Sequence, residues 1–288
     1  MKRVGFIGVG SIGAPMARCV IRAGFKVTVC DNNPKALQQF AASDIEFADT
    51  PADCASQDMV IVIVANDQQV KEVVLGDTGL LSAVDPRKPP RLAIMSTVMP
   101  ETVHAVADLC ARKAVRVIDA PVSGLPVVAE QGKLTIMVGG TTNDLEDMRP
   151  VLRSMGENIF HTGSLGTGEV TKLVNNVVGL TNLFLTVEAM LIAKHHGMDL
   201  LRIAAIMETS SGRNFSTQDW DRAKATFAYF ARSLDLSKVA VDVSSKDLRH
   251  AQELARQAHV ACPLLDRIAD AVSGLSYQEV QANWAAIA

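Results

Sequence analysis

Short apolar runs alternate with helical stripes through the first 163 residues, and after that the strand pattern stops. Residues 4–7, 26–30, 59–64, 92–95, 116–119 and 134–138 read as strands. Several are apolar almost throughout, which predicts burial on both faces, as in a parallel sheet covered by helices. Strands alternating with helices give a doubly wound α/β domain. From about Gly168 the spacing changes. Val170, Leu173, Val174, Val177, Val178 and Leu180 begin a helical stripe that continues through Val187, Leu191 and Ile192. His195-His196-Gly197 stops it, with glycine past the end and imidazoles beside the helix's carbonyl end. The span is about 29 residues, or about 43 Å at 1.5 Å per residue. It is apolar on more than one side and is expected to form the core of a helical second domain and a subunit interface. Val239-Ala240-Val241-Asp242-Val243 is rich in β-branched residues, yet it is read as part of a helical region running toward Ala258. The division is therefore 1–164, the doubly wound domain, and 165–288, an all-α domain built on the long helix. No repeat, low-complexity tract or Pro/Gly/Ser-rich linker separates them.

The first turn carries the clearest chemistry. Gly8-Val9-Gly10-Ser11-Ile12-Gly13 follows an apolar strand and precedes a plausible helix. Gly8 allows the tight turn, Gly10 lets a pyrophosphate approach the backbone, and Gly13 lets helix and strand pack closely. The free N–H groups of the helix start, with Ser11 and Ile12, face the phosphates. A second strand ends at Asp31, 18 positions after Gly13 and near the expected spacing of about 20. Its carboxylate suits an adenosine ribose and repels a 2′-phosphate. Asp31-Asn32-Asn33 also lacks the arginine that would welcome that phosphate, so NAD is favoured over NADP. Asp31 has a plainer role open to it, as an Asx-turn residue before Pro34.

Composition narrows the partners. The 288 residues are 48% hydrophobic and 20% charged, with a net charge of -3, which offers no basic footprint for nucleic acid or an anionic membrane. The five cysteines are dispersed, with no CxxC pair or metal-like spacing, and read as reduced thiols in a cytoplasmic protein. Met1-Lys2-Arg3 leads directly into the strand at 4–7, which is too short for the apolar core of a signal peptide. The six histidines are scattered, no coherent metal-ligand set is present, and no metal is expected.

Lys172 and Asn176 sit four residues apart, one turn apart on the same face of the long helix. An ammonium and a carboxamide are thus presented together at the helix's beginning, where a cleft between two domains would lie.

Phe6-Ile7-Gly8-Val9-Gly10-Ser11-Ile12-Gly13-Ala14-Pro15-Met16-Ala17 resembles the amino-terminal signature of the β-hydroxyacid dehydrogenase family, which includes 3-hydroxyisobutyrate dehydrogenase and tartronate semialdehyde reductase. Asp119-Ala120-Pro121-Val122-Ser123-Gly124 resembles its substrate-binding block, and 132–140 the strand that follows. Gly166-Thr167-Gly168-Glu169-Val170-Thr171-Lys172-Leu173-Val174-Asn175-Asn176 resembles the catalytic block. Lys246-Asp247-Leu248 resembles a late block that contacts cofactor and substrate. The resemblance implies a Rossmann-type domain, a long interdomain helix, an all-α carboxyl-terminal domain and a homodimer or homotetramer. It implies Lys172 as general acid/base, Asn176 as the residue that orients substrate, and Ser123 with Gly124 as the carboxylate site. Thr97 matches the position near the nicotinamide, and Lys246 matches a lysine lining the same cleft.

The residue types suit oxidation of a small β-hydroxyacid, in which a hydroxyl proton leaves as hydride passes to NAD. A lysine at the ordinary pKa of about 10.4 is a poor base, so this chemistry asks for surroundings that ease its deprotonation. Asn176 holds a hydroxyl without competing for its proton, and Ser123 and the Gly124 amide are neutral donors to a carboxylate. Leu125-Pro126 departs from the glycine often found after Ser-Gly in the family: Leu125 adds bulk to the substrate pocket and Pro126 removes an amide donor. Ser210-Ser211-Gly212-Arg213-Asn214-Phe215 either brings Arg213 or Phe215 to the substrate or is only a turn. An imine reductase of related architecture and a catalytically silent dinucleotide-binding module are the alternatives. Lys172 and the Ser123-Gly124 block count against the first, and retention of Lys172 with Asn176 against the second.

Overall fold

The computed structural model describes residues 2–41 and 45–288. The chain divides into two compact units, Met1–Lys172 and Leu173–Ala288, and the division falls within one long helix.

The first unit alternates strand and helix: β1 (Arg3–Ile7), α1 (Gly13–Arg22), β2 (Lys26–Cys30), α2 (Pro34–Gln38), β3 (Glu46–Phe47), β4 (Met59–Val62), α3 (Asp67–Leu75), β5 (Arg91–Ile94), α4 (Pro100–Ala111), β6 (Arg116–Asp119), β7 (Val122–Ser123), α5 (Pro126–Glu130), β8 (Leu134–Gly139), α6 (Thr142–Met155) and β9 (Gly156–Gly163). The strands form one sheet in the order β3-β2-β1-β4-β5-β6-β8-β7, with β9 paired to β8. All pairs from β3 to β6 are parallel. The expected parallel sheet holds that far and then changes direction. β6 and β7, interrupted at Ala120-Pro121, both pair antiparallel with β8. Pro121 has no N–H to give a ladder, so the chain breaks there and re-enters as β7. β3 and β7 are only two residues long, and in β9 only Gly156 is buried, so none carries the buried apolar run that marks the others.

Alternation along the strands builds two cores. Val4 and Phe6 of β1 and Met59 and Ile61 of β4 pack with α1 and α6. Ile7, Val60, Val62, Leu92 and Ile94 pack on the other side with α3 and α4. Successive side chains of a strand point to opposite faces, so each apolar strand feeds both cores. That is why the central strands lack a polar face.

The long helix α7 spans Thr167–His195, 29 residues. Gly197, at φ 70°, follows its end, and the Gly197 and Met198 N–H groups bond to the Lys194 and Ala193 carbonyls. The remaining helices are α8 (Leu200–Glu208), α9 (Trp220–Ala231), α10 (Leu234–Gln257), α11 (Pro263–Ser273) and α12 (Tyr277–Ile287). The β-branched stretch 239–243 is helical, within α10. The core of the second unit is aromatic: Phe184, Phe227 and Phe230 lie 5.7–6.0 Å from the ring of Trp284. Such edge-on and tilted pairs add to the area they bury.

The apolar residues of α7 divide between two sides: Val174, Val178, Leu185 and Ile192 are exposed. They recur every four or seven residues and so form one stripe, while Leu173, Phe184, Val187 and Met190 are buried. By length and composition alone the helix is also apolar enough to cross a membrane.

Candidate active site

The glycine turn joins β1 to α1, and two of its glycines are fixed by main chain. At Gly8, φ is 95° and an added Cβ would meet the Ile63 carbonyl oxygen at 2.2 Å. At Gly13 it would meet the Gly8 oxygen at 2.3 Å. Gly10 differs: nothing lies within 4 Å of its missing Cβ, and the residue is exposed with Ser11. Helix α1 follows Ile12 without a side-chain cap; the Ala14 N–H already bonds to the Gly10 carbonyl at 3.0 Å and Pro15 has no N–H, so the Ile12 and Gly13 N–H groups are those left to face an anion. Asp31 completes the turn. Its Oδ2 accepts the Val9 N–H at 2.8 Å, and its Oδ1 accepts the Asn33 N–H at 2.8 Å. The Asx turn is therefore real, and the same carboxylate also lies against the glycine loop. Two of its roughly four lone-pair sites remain for a ribose hydroxyl. An open glycine, an uncapped helix start and a carboxylate beside them fit a dinucleotide.

The chain leaving β4 and the chain leaving β5 are tied to each other and to the first turns of α3 and α7. Ser96 Oγ accepts the Val64 N–H at 2.7 Å, Glu169 Oε2 accepts the Val98 N–H at 3.2 Å, and Asp67 Oδ1 accepts the Met99 N–H at 2.9 Å. The half-buried Thr97 sits in a segment whose neighbours on both sides are tied down. The turn that carries Ser123 is held differently. Gly124 has φ 152°, and its missing Cβ would meet Leu134 Cδ2 at 2.5 Å and Val128 Cγ1 at 3.3 Å. Leu125 follows, half-buried, and α5 is then clamped to α1 by Glu130, whose carboxylate pairs with Arg18 at 2.6 Å and Arg22 at 2.8 Å. Those two cations hold the Glu130 carboxyl below its ordinary pKa, the Arg18 hydrogen bonds contributing most.

Lys172 and Asn176 are both buried, each 8% exposed, one turn apart on α7. Lysine is rarely found so deep. Asp119, wholly buried at the end of β6, accepts the Gly166 and Glu169 N–H groups at 2.7 and 2.9 Å. Burial pushes its carboxyl above the usual range, against the pull of those N–H donors. In the second unit, Asn176 Nδ2 donates to Asp247 Oδ2 at 2.7 Å, and Lys246 Nζ lies 2.8 Å from Asp247 Oδ1. The structure thus joins Asn176 and Lys246 through Asp247, a buried residue not singled out in the sequence beyond its place in the Lys-Asp-Leu block. Its signal was an acid at an inward-facing position of an amphipathic helix, and Glu169 on α7 carries the same signal; Asp119 instead ends an apolar strand. The 210–215 loop is engaged locally: Arg213 pairs with Glu208 at 2.7 Å, and the Arg222 guanidinium lies 4.4 Å over the Phe215 ring. Among the described residues no cluster of three or more His, Cys, Asp and Glu could hold a metal.

Comparison with known proteins identifies the family. The family described as the NAD binding domain of 6-phosphogluconate dehydrogenase matches residues 3–163. The family described as the NAD-binding domain of NADP-dependent 3-hydroxyisobutyrate dehydrogenase matches 166–285. The chain is 37% identical over 217 residues to a 3-hydroxyisobutyrate dehydrogenase of Pseudomonas aeruginosa, covering 75% of this chain and 72% of that one. It is 33% identical over 266 residues to an NAD-dependent L-serine dehydrogenase of the same organism, covering 92% and 89%. The crystal structure of a 3-hydroxyisobutyrate dehydrogenase from Salmonella typhimurium is similar with a TM-score of 0.81 and 25% identity, over 95% of this chain and 93% of that one. With the dinucleotide turn and these relatives in agreement, the chain belongs to the β-hydroxyacid dehydrogenase family and is an NAD-dependent hydroxyacid dehydrogenase.

Proposed function

We propose that the protein reversibly oxidises a small 3-hydroxyacid to its semialdehyde or keto acid, with Lys172 as the general acid/base. The observation that carries this reading is the burial of Lys172 and Asn176 together on one face of α7. NAD, when bound, takes up the hydride. Lys172 Nζ takes the hydroxyl proton in oxidation and returns it in reduction. Asp247 fixes which way the Asn176 amide points, leaving its second N–H for the substrate hydroxyl oxygen. The Ser123 hydroxyl and the Gly124 N–H receive the carboxylate, and Leu125 bounds the pocket beside it. Thr97 and Lys246 are the further residues proposed to contact cofactor or substrate.

The test is a panel assay of NAD reduction with 3-hydroxyisobutyrate, L-serine and other 3-hydroxyacids, together with NADH oxidation by cyclic imines. Turnover of the hydroxyacids by the wild type, and a loss of about 10²–10⁴-fold in kcat for Lys172→Ala, the usual span for an acid/base group, would support the reading. The Kd for NAD should stay unchanged in that variant. Turnover of imines alone would replace the reading with an imine reductase. NAD binding without any turnover would point to a silent module.

The exposed Val174, Val178, Leu185 and Ile192 stripe supports assembly as a homodimer or homotetramer, to be checked by mass measurement in solution. Five free cysteines, four of them buried, suit a reducing cytoplasm, which fractionation would check.

A further inference from the structure

Two wholly buried carboxylates, Asp119 and Glu169, stand where the ends of β5 and β6 meet the first turn of α7. The chemistry proposed above uses neither. Asp119 holds two main-chain N–H groups of the start of α7, Gly166 and Glu169, one on each oxygen. It has no slack. A Cβ at Gly139 would stand 2.3 Å from its Oδ1, and one at Gly168 2.8 Å from its Oδ2. A carboxylate here answers N–H groups that helix geometry leaves without partners, at the positive end of the helix dipole. Glu169 extends the linkage, since its Oε2 accepts the N–H of Val98, the residue after Thr97. Glu169 and Lys172 are three residues apart, neighbours on the helix surface.

We propose that Asp119 and Glu169 are positioning residues, which together fix the first turn of α7, and through it Lys172, against the loop that carries Thr97. The proposal rests on the reading of Lys172 as the acid/base. Proton transfer needs hydrogen-bond reach between the base and the hydroxyl. The lysine stem is packed, so a shift of the turn carries the ammonium with it. Asp119 ties that turn to the strand that leads into the Ser123 turn, and Glu169 ties it to the segment after β5. One pair of carboxylates thus sets the lysine relative to two walls of the site at once.

The test is a double-variant cycle on kcat with 3-hydroxyisobutyrate or L-serine and NAD. Glu169→Ala removes the acceptor of the Val98 N–H, and Glu169→Gln keeps one. Asp119→Asn keeps an acceptor for only one of its two N–H groups. Glu169→Ala and Asp119→Asn should each lower kcat by about 10²-fold, the scale of a 1 Å misplacement. The KM for NAD should hold, and Glu169→Gln should recover most of the loss. Combined with Lys172→Ala, neither should add more than about twofold, within the scatter of independent effects. Lys172→Ala at near wild-type rate would sink the acid/base reading itself. A disabled Lys172→Ala beside wild-type kcat in Glu169→Ala and Asp119→Asn, or losses that multiply in the double variants, would overturn the positioning role and leave the lysine in place. Should Glu169→Ala fail to fold, Asp119→Asn carries the cycle with the same two outcomes.

Discussion

Two glycine turns in this molecule lead from a strand into a proline-bearing helix, 8–13 before α1 and 123–125 before α5, and they are built on different terms. In the first, the obstacles to a side chain at Gly8 and Gly13 are main-chain oxygens at 2.2 and 2.3 Å. In the second, the obstacles at Gly124 are the side-chain ends of Leu134 and Val128. Main chain cannot move aside without shifting a strand, whereas a leucine methyl can change rotamer. The cofactor turn is therefore fixed by the fold itself. The turn proposed to hold the substrate is fixed by which side chains surround it, so substitutions there are expected to alter the substrate while the cofactor stays.

The sharpest way to break this comparison is to add one methyl to each turn. Gly13→Ala must displace α1 from β1, and overpacking of that kind costs about 1–3 kcal/mol. The Kd for NAD should rise about tenfold or more, since 1.4 kcal/mol is a factor of ten. Gly124→Ala is strained at φ 152° too, yet it should leave NAD affinity near wild type and raise the KM of the hydroxyacid. Titration of NAD and substrate kinetics on both variants decide it. Equal losses of NAD affinity would show that the two turns are not independent.

This contrast also explains what could be read from the chain. The dinucleotide turn, α7 and its stop at Gly197 were legible because each follows from local rules: glycine spacing, apolar periodicity and a left-handed residue past the helix end. β7 and β9 were not, since a two-residue strand and an exposed edge have no apolar run to betray them. The direction change at β8 is set by pairing between distant segments, which local pattern does not encode. Lys172 and Asn176 stood out by spacing on one helix. Asp247 did not, because its partner Asn176 is 71 residues away. Asp119 sat in plain view within a substrate-like block, but nothing in its neighbours announces that both its oxygens belong to α7.

Asp31 is the one side chain of the cofactor turn expected to be exchangeable. It accepts two main-chain N–H groups, and serine there with arginine in place of Asn32 would exchange a repulsive carboxylate for a phosphate partner. Asp31→Ser with Asn32→Arg should move kcat/KM toward NADP, with some loss of NAD affinity because the Val9 N–H loses its acceptor. A wild type that already prefers NADP would undo the assignment of Asp31 to the ribose.

Leu125 tests the other turn. It is half-buried and is not among the buried side chains of either core cluster, which favours a place at the pocket over a place in the core. Leu125→Gly should change relative kcat/KM across 3-hydroxyacids that differ at C2, by an amount that reflects about 1–3 kcal/mol per methylene. The Lys172-dependent chemistry should survive. An unstable variant with an unaltered substrate profile would return Leu125 to a packing role.

The smallest effect should come from the clamp that ties the two turns together. Glu130 closes α5 and pairs with Arg18 and Arg22 of α1, the helix that the cofactor turn begins. Its side chain is 41% exposed, so solvent screens the pairs, and surface ion pairs contribute only about 0–1 kcal/mol. Glu130→Gln should therefore lower Tm by no more than about 2–4 °C at pH 7. The pH dependence has a definite sign. The arginines hold the Glu130 carboxyl below 4.5, its ordinary value, so the ionised form is favoured in the folded protein. Its contribution is present above that value and is lost as pH falls through the depressed one. The Tm difference between wild type and Glu130→Gln should accordingly be full near neutrality and close as the pH drops below about 4.5. A gap that stays open in acid would assign the clamp to side-chain packing instead of charge. A KM for substrate that rises with the lost clamp, while NAD affinity holds, would show that α5 transmits its tether to the substrate turn alone.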